Sequence, residues 1–512
     1  MSANSSSRRL MLNTIANGGG QLLGPLVSIL LVPIYLRVLG REAYGLIGFF
    51  SALSILLSVF SHGVGQSLQR EIARRERDPA QRGTRRNLVR TFEIAYAALG
   101  LLLALALAAF SSRLAHGWVR ATDLDPALIQ TCLLLLALRI GVALPNGVYQ
   151  AVFIGTQRQV TGNLIIMAAT FAGAVATVVV VLIFRSIVAV LVVDAALAAL
   201  TLVALRMGAA AVLAEDDGPP GRFSWVDFTA VARPSAWIIW SSGIGVIVTQ
   251  TDRVLLSRMV ELSSLAAYNT AVAGGRLISV LYTPFLVAAY PELCQLSGAH
   301  DRPRLTRLMA RNAAVVAALT CACTAPLGAF APDVLLAWTH DAALAREGAL
   351  VLTIYVAGSV AIAYASVFYS LMLALGAVRF AALFNTLSLF WYPVGMAALI
   401  RQLGIAGAAW TWLAYAVSAW ITVVGACYYR HLERSGLLPY LLRSLAAPLV
   451  GLLFSLLARQ AALALFPGSL VGRLLCALAA AAAILPATLA LGLGPRACRD
   501  LLGRALHRKA AA

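Results

Sequence analysis

Long apolar runs recur along the whole chain and are separated by short polar breaks. A run of about 20 apolar residues spans the hydrocarbon core of a bilayer as a helix. The pattern predicts fourteen such helices, at approximately 11–36, 44–68, 92–112, 127–153, 161–184, 187–208, 236–257, 266–288, 313–332, 349–374, 382–400, 405–427, 445–466 and 474–494. An apolar content of 61% and a mean hydropathy of +0.84 exceed those of soluble domains. The chain is therefore predicted to be an all-α polytopic membrane protein.

The basic residues are distributed unevenly between the polar breaks. Short cytoplasmic loops of membrane proteins retain Arg and Lys. If the N-terminus is cytoplasmic, the 40 basic residues divide into 27 in cytoplasmic segments, ten on the opposite side, and Arg139, Arg276 and Arg459 within spans. This bias predicts that both termini are cytoplasmic. The net charge of +19 is therefore explained by membrane topology and by attraction to anionic membrane lipids. It does not indicate nucleic-acid binding.

No pattern typical of metal or nucleotide binding accompanies the spans. The seven cysteines fall mostly within predicted helices, and the six histidines are scattered. No glycine-rich phosphate loop follows a strand pattern. The sequence therefore predicts no metal centre, no cofactor and no ATP hydrolysis by the protein itself.

The two halves of the chain share residues at matched positions, with offsets of 221 to 224 residues. The matches are Ala43-Tyr44 with Ala267-Tyr268, Glu71 with Glu292, Asp78 with Asp301, Gly155 with Gly376, and Arg158 with Arg379. They predict two six-helix bundles, and because six is even, the bundles are parallel repeats related by an axis along the membrane normal. The predicted domains are a first bundle at 1–213, a cytoplasmic linker at 214–234, a second bundle at 235–430, and helices 13 and 14 with a basic tail at 431–512.

Polar residues form stripes on single faces of several predicted spans, at the 100° per residue of an α-helix. Transporters built from two matched bundles bind substrate near the midplane of a central cleft. Stripes of this kind line such a cleft or pack helices together through Gly and Ser, and the sequence leaves both interpretations open. The stripes supply these candidate substrate-binding residues: Asn17, His62, Arg139, Asn146, Gln150, Asp252, Asn269, Arg276 and Thr283.

Two of these candidates, Arg139 and Arg276, lie near the centres of their spans. A charge at mid-bilayer costs about 2.5–3.5 kcal/mol on insertion scales, so it faces a bundle interior or water and has a partner. A buried ion pair with Asp194 or Asp252 is one explanation, and a cationic cleft for an anionic substrate is the other. Asp252 also has two possible explanations: solvation at the outer membrane–water interface, or a role in transport. His62 is either a helix contact or a group that titrates near neutral pH.

The sequence resembles a known family of membrane proteins in both halves. The run LVPIYLRVLGREAYGLIGFFSALSILLSVFSHGVGQSLQREIAR resembles the opening of polysaccharide biosynthesis transporters of the O-antigen flippase (Wzx) type. These belong to the multidrug/oligosaccharidyl-lipid/polysaccharide (MOP) exporter superfamily. TDRVLLSRMVELSSLAAYNTAVAGGRLISVLYTPFLVAAYPELCQLS supports the resemblance, with Asp252 late in span 7, Tyr268 opening span 8 and Pro291 closing it. The likeness extends over residues 10–430 and implies a MOP-type fold.

The resemblance implies a flippase, not an enzyme, in the bacterial inner membrane. Its substrate would be an undecaprenyl-diphosphate-linked oligosaccharide for surface polysaccharide synthesis, and its partners membrane lipids, a polysaccharide polymerase and a chain-length regulator. One departure is Ser61-His62-Gly63, where many relatives carry Asp-x-Gly, so no role of that acid carries over. The sequence leaves open which glycan is carried and whether a proton or sodium gradient drives the step.

Other functions share parts of this pattern. A multidrug exporter of the same superfamily would have the same fold but would need acids in its cleft, for which only Asp194 and Asp252 are available. A lipid II flippase would carry a charged motif that is absent from LMLNTIANGGGQLLGPLV. A transporter of the major facilitator superfamily would carry a different motif in place of DPAQRGTRR between spans 2 and 3. A glycan polymerase or ligase would need a large outer loop with catalytic residues, whereas the outer loops predicted here are short.

Overall fold

The computed structural model describes residues 24, 27–78, 81–214, 220–298, 301–377 and 379–493, without the side chains at 61–64, 77, 82, 233–234, 236–239, 241–242, 298 and 381. The described chain is helical, and its helices are α1 (Val27–Val38), α2 (Arg41–Arg77), α3 (Arg85–Gly117), α4 (Pro126–Ala143), α5 (Asn146–Gly155), α6 (Gln159–Phe184), α7 (Ile187–Ala214), α8 (Trp225–Met259), α9 (Leu262–Gly298), α10 (Arg302–Ala329), α11 (Ala331–Thr339), α12 (Ala342–Ala374), α13 (Arg379–Leu403), α14 (Ile405–Arg430), α15 (Leu437–Leu465) and α16 (Leu470–Leu493).

Where the structure describes the predicted spans, they lie on helices, although most of the first span (11–36) is outside the described residues. Within the described residues, twelve segments are long and apolar enough to cross a membrane, with α4 and α5 forming one of them. The first and seventh predicted spans correspond to α1 and α8. The all-α polytopic fold class is therefore confirmed.

Several helices extend beyond the predicted spans, and three of these extensions have a local cause. The helix α2 continues beyond the apolar run to Arg77, where Glu71 pairs with Arg74 and Arg75 at the i+3 and i+4 spacings that stabilise a helix. The helix α9 continues through Pro291 to Gly298, so this proline does not close the helix. Proline removes one backbone donor, and the turns on both sides keep the helix intact.

The third extension is at the start of α8, which lies inside the segment predicted to be a linker. Ser224 adopts an extended conformation and its side chain accepts a hydrogen bond from the backbone N–H of Asp227. This is an N-cap, and Asp227 in the first turn also suits the positive end of the helix dipole. The helix therefore begins at Trp225, and only residues before it connect α7 to α8.

Packing divides the chain into two compact units, residues 1–266 and 267–512. In the first unit, α3 packs on α4, α4 on α7, and α6 on α7; in the second, α10 packs on α12, α12 on α14, and α13 on α14. This common order is what a repeat of the bundle requires. The first unit also contains α8, which packs along α2. The domain boundaries drawn from sequence repetition stay a prediction.

Glycine allows a close approach of α3 and α4 in the first unit. A Cβ added to Gly100 of α3 would come within 2.5 Å of the carbonyl oxygen of Gly141 on α4. No real side chain tolerates that distance, so both positions need a small residue for the backbones to touch. This contact fixes α4 against α3 two residues after Arg139.

A buried carboxylate fixes the connection between α3 and α4. Glu42, at the start of α2, accepts hydrogen bonds from the backbone N–H and hydroxyl of Thr122 and from the backbone N–H groups of Asp123 and Leu124, at 2.6–3.0 Å. Four donors satisfy a carboxylate that is removed from water. The arrangement holds the connection against α2 and sets where α4 begins.

An ion-pair network at the other end of α2 holds the beginning of α8. Arg75 pairs with Asp227 at 2.5 Å and with Glu71 at 3.0 Å, and its Nη1 donates to Thr84. The arginine side chain is almost fully buried, so each of its contacts is made away from bulk water. The network joins α2, the connection before α3 and the start of α8.

Candidate functional site

The first unit contains a polar cavity of about 340 Å³ between α2, α4 and α5. This volume lies within the range of about 300–1,000 Å³ that ligand pockets occupy. The cavity is lined by the polar residues Ser54, Ser58, Gln66, Gln69, Arg139, Asn146 and Gln150 and by Gly65, Ile140, Ala143, Leu144, Gly147, Ala151 and Ile154. A polar cavity between apolar helices is a site where a hydrophilic group can enter the membrane domain.

The helix that lines this cavity is interrupted at Leu144 and Pro145. The single span predicted here is retained, because α4 and α5 together form one membrane span. Its helical hydrogen bonding is broken locally because Pro145 has no backbone N–H and its ring crowds the preceding turn. The chain resumes as α5 at Asn146, and the first turn of α5 borders the cavity. Interrupted membrane helices place backbone dipole ends at binding sites, and an N-terminal end attracts anions.

Arg139 borders the cavity and also forms an ion pair. Its Nε lies 2.7 Å from Oδ2 of Asp194 on α7, and its Nη1 is 3.4 Å from the Ser54 hydroxyl on α2. The side chains of Arg139 and Asp194 are 32% and 44% exposed. Both sequence-based explanations of Arg139 therefore describe part of its surroundings: it has an acidic partner, and it lies at a polar cavity.

Asn146 and Gln150 line the same cavity from α5. Their spacing of four residues places them one turn apart on one face. The Oδ1 atom of Asn146 is buried, and the described residues offer it no hydrogen-bond partner. Buried amide oxygens normally accept a hydrogen bond, so Asn146 has unused capacity for a donor in the cavity.

The sequence predicts a polar stripe on α2 that includes Ser54, Ser58, His62, Gly65 and Gln69. Ser54, Ser58, Gly65 and Gln69 lie on the face of α2 that borders the cavity. Gln66 also lines it, although it does not follow the stripe. His62 lies in the same helix, but its side chain is outside the described residues, and Asn17 is likewise outside them.

The candidates on α9 belong to the second unit. Asn269 is buried, whereas Arg276 and Thr283 are exposed. The Thr283 hydroxyl donates to the carbonyl oxygen of Ser279, one turn earlier on the same helix. The spacing of Asn269, Arg276 and Thr283 places all three on one face of α9, as predicted from the sequence.

Asp252 of α8 is buried, at 6% exposure, next to Arg253 at 7%. Its Oδ1 accepts a hydrogen bond from the backbone N–H of Arg253. This burial argues against interfacial solvation as the explanation for the pair, and a transport role for Asp252 stays a prediction. The helix extends to Met259, almost two turns beyond Asp252.

Sequence reasoning missed two features of the cavity. It did not identify the helix interruption, although LPNG at 144–147 carries a proline that is a sufficient signal for one. It also could not choose between Asp194 and Asp252 as the partner of Arg139. Helix periodicity gives the face on which a residue lies, but it does not give the neighbouring helix.

Comparisons with known proteins agree with the fold. The family model for the polysaccharide biosynthesis protein family matches residues 10–297. The chain is similar to the lipid II flippase MurJ in its inward closed conformation, with a TM-score of 0.68 and 13% identity over 93% of this chain and 98% of that chain. It is similar to an inward-facing multidrug resistance MATE family transporter of the MOP superfamily, with a TM-score of 0.63 and 15% identity over 84% and 98% of the two chains.

A MOP superfamily transporter from Pyrococcus furiosus is also similar, with a TM-score of 0.57 and 15% identity over 86% of this chain and 96% of that chain. A search of curated proteins gave no significant match. At these identities the solved structures establish a common fold, and the family model covers more than half of the chain. The chain therefore belongs to the polysaccharide biosynthesis protein family and has the fold of the flippases and transporters of the MOP superfamily.

Proposed function

We propose that this protein is a flippase that moves an undecaprenyl-diphosphate-linked oligosaccharide across the bacterial inner membrane by alternating access. The observation that supports this most directly is Arg139 at a polar cavity beside the first turn of α5. A diphosphate must lose water to enter the membrane domain. A guanidinium and a helix N-terminus are two groups that replace that water for an anion.

The chemistry of Arg139 suits a diphosphate better than a neutral solute. A guanidinium has five N–H donors in a planar fork and keeps its charge at every physiological pH. One of these donors faces Asp194, and Nη1 is at the long distance of 3.4 Å from Ser54, so donors remain for phosphate oxygens. Bidentate contacts of this kind are the strong form of phosphate recognition.

Asp194 has a role in this proposal as the counterion of the empty state. An unpaired arginine within a membrane is costly, and the ion pair with Asp194 lowers that cost when no substrate is bound. A diphosphate carries more negative charge than one carboxylate, so it competes for the same guanidinium. Because Asp194 can replace the diphosphate as the partner of Arg139, binding of the diphosphate would be reversible.

The remaining polar residues of the cavity suit a carbohydrate. Asn146, Gln150 and Gln69 offer amide donors and acceptors, and Ser54 and Ser58 offer hydroxyls. The unpaired Oδ1 of Asn146 is an acceptor for a sugar hydroxyl. The proposal also includes a polysaccharide polymerase and a chain-length regulator as partners, and cytoplasmic termini. The sequence leaves open which glycan is carried and which ion gradient drives the step.

A multidrug exporter is the second candidate function, and one observation favours it. Asp194 is 44% exposed beside the cavity, so it is an acid that a cationic drug could reach. A glycan polymerase or ligase has less support. In the described residues, the connections on the side predicted to be outer are short, for example 118–125 and 185–186, and provide little room for a catalytic domain.

Reconstitution distinguishes these functions. Vesicles containing the purified protein are tested with a polyprenyl-diphosphate oligosaccharide and with a cationic dye. We expect flipping of the lipid-linked glycan, its reduction by at least about tenfold in Arg139→Gln through loss of a charged hydrogen bond, and partial recovery in Arg139→Lys. Arg113→Gln is the matched control, because Arg113 lies over the Phe110 ring and away from the cavity. Transport of the dye with no movement of the glycan would contradict the proposal.

A further inference from the structure

The second unit contains another cavity, of about 170 Å³, where α10 and α15 begin and α16 ends. The end of α14 completes its wall through Tyr428. Arginines cluster at this end of the unit, which the charge distribution predicts to be cytoplasmic. The cavity shares no residue with the polar cavity of the first unit.

The deeper wall of this cavity is made of small residues. Ala310, Ala313, Ala314 and Ala317 line it from α10, and Ala447 lines it from α15. Their spacing of three and four residues keeps the methyl groups on one face of α10. These alanines give the cavity an apolar wall of small side chains between α10, α15 and α16, called the alanine slot below, against which a hydrocarbon chain can pack.

The mouth of the cavity carries two arginines that form no ion pair with an acid among the described residues. Arg307 of α10 and Arg443 of α15 both line it and both are exposed. The described residues place no carboxylate in an ion pair with either one, and Arg307 reaches only the Pro303 carbonyl oxygen, at 3.4 Å. By contrast, Arg311 on the same helix pairs with Glu292. The mouth therefore carries two positive charges that no described acid neutralises.

A buried tyrosine hydroxyl at the cavity has no hydrogen-bond partner in the part of the chain that the structure describes. Tyr428 is 1% exposed, lines the cavity, and has no hydrogen-bond partner for its hydroxyl among the described residues. Buried tyrosine hydroxyls normally find a partner. The neighbouring Tyr440 shows the usual case, because its hydroxyl accepts a hydrogen bond from Trp420 Nε1 at 3.0 Å. An unsatisfied hydroxyl within a cavity indicates that a ligand supplies the missing partner.

We propose that this cavity binds an anionic phospholipid of the cytoplasmic leaflet. Basic pockets between membrane helices on this side bind anionic headgroups. Arg307 and Arg443 would hold the phosphate, the Tyr428 hydroxyl would bind a polar oxygen of the headgroup or its ester, and an acyl chain would lie in the alanine slot. The bound lipid would fasten α15 and α16 to α10. This site is independent of the transport function proposed above.

The test measures lipid-dependent stability of the full chain in a neutral detergent. The melting temperature is followed while phosphatidylglycerol, phosphatidylcholine or inorganic phosphate is added. We expect saturable stabilisation by phosphatidylglycerol, with weak or no effect of phosphatidylcholine and phosphate. Arg307→Gln and Arg443→Gln should each weaken the apparent affinity by about fivefold, the effect of one basic residue near an anionic lipid. Tyr428→Phe keeps the ring and should weaken it by roughly two- to tenfold.

Arg304→Gln is the matched control, because Arg304 lies in the first turn of the same helix but does not line the cavity. It should leave the affinity unchanged. Equal losses of lipid affinity in Arg304→Gln and Arg443→Gln would show that binding depends on general surface charge, and would overturn the proposal. Equal stabilisation by inorganic phosphate would make the ligand a free anion and would also overturn it. Wild-type affinity in the Arg307→Gln/Arg443→Gln double variant would have the same consequence.

Discussion

Arg139 of α4 and Asp194 of α7 form an ion pair beside the polar cavity of the first unit, with 2.7 Å between Nε and Oδ2. The two residues are far apart in the sequence, and the packing of α4 on α7 brings them together. The pair is partly exposed, so it is neither a fully buried structural contact nor a solvated surface pair. In the mechanism that we propose, the pair stabilises the fold and releases its guanidinium to a competing anion.

Removing the carboxylate tests this pair. Asp194→Asn leaves the arginine charge without its acid, and we expect the free energy of unfolding to fall by about 1–2 kcal/mol, less than for a fully buried pair because solvent screens both groups. Thermal unfolding of Asp194→Asn, Arg139→Gln and the double variant gives the coupling energy. Additive effects of the two single substitutions would show that the residues do not interact.

Arg276 on α9 provides a second test of substrate recognition. We expect Arg276→Gln to impair glycan export strongly while the protein stays in the membrane, because Gln keeps polarity but loses the charge that attracts a diphosphate. Arg276→Lys should recover part of the activity. Surface glycan is measured in cells that depend on this protein. Arg346→Gln, an exposed arginine on α12, is the control, and wild-type export by Arg276→Gln would exclude a substrate role.

Glu42 should contribute to stability through the connection that it holds. Glu42→Ala leaves the N–H groups of Thr122, Asp123 and Leu124 without their acceptor, and we expect a loss of about 2–3 kcal/mol in the free energy of unfolding. Denaturation of the purified protein measures this loss. Glu347→Ala removes the same side chain at an exposed position and should change stability by less than about 0.5 kcal/mol. Similar losses in the two variants would argue against the anchoring role.

Two glycines of α3 should respond in opposite directions to the same substitution. Gly100→Ala introduces a Cβ that would lie 2.5 Å from the Gly141 carbonyl oxygen, and we expect a loss of about 1–3 kcal/mol from the overpacked contact. The added Cβ of Gly117→Ala meets no atom within 4 Å. This substitution should raise the free energy of unfolding by roughly 0.4–1 kcal/mol, because alanine has less conformational freedom than glycine in the unfolded chain. Comparison of the two melting temperatures checks the prediction, and stabilisation by Gly100→Ala would contradict the close approach of α3 and α4.

The orientation in the membrane is open to a labelling test. In a background with the seven native cysteines replaced, Arg222→Cys and Arg401→Cys place one thiol on each predicted side. A maleimide that does not cross membranes should label Arg401→Cys in intact spheroplasts and Arg222→Cys only after lysis. This result follows from the positive-inside bias. Labelling in the reverse order would place both termini outside.

The sequence by itself determined where the membrane helices of the described residues lie, because about 20 consecutive apolar residues have few structures available in a bilayer other than a helix. It also determined which faces of α2, α4 and α9 carry polar residues, because the helix period depends only on local backbone geometry. The family likewise followed from patterns within single segments, and the family model confirms it.

Only the tertiary structure decided what those polar faces contact. Arg139 could pair with either of two acids in the sequence, and the packing of α7 against α4 selected Asp194. The burial of Asp252 and the joining of Arg75 to Asp227 depend in the same way on which helices pack together. Side chains so far apart along the chain meet through the summed packing of many apolar contacts, and no local pattern in the sequence specifies that sum.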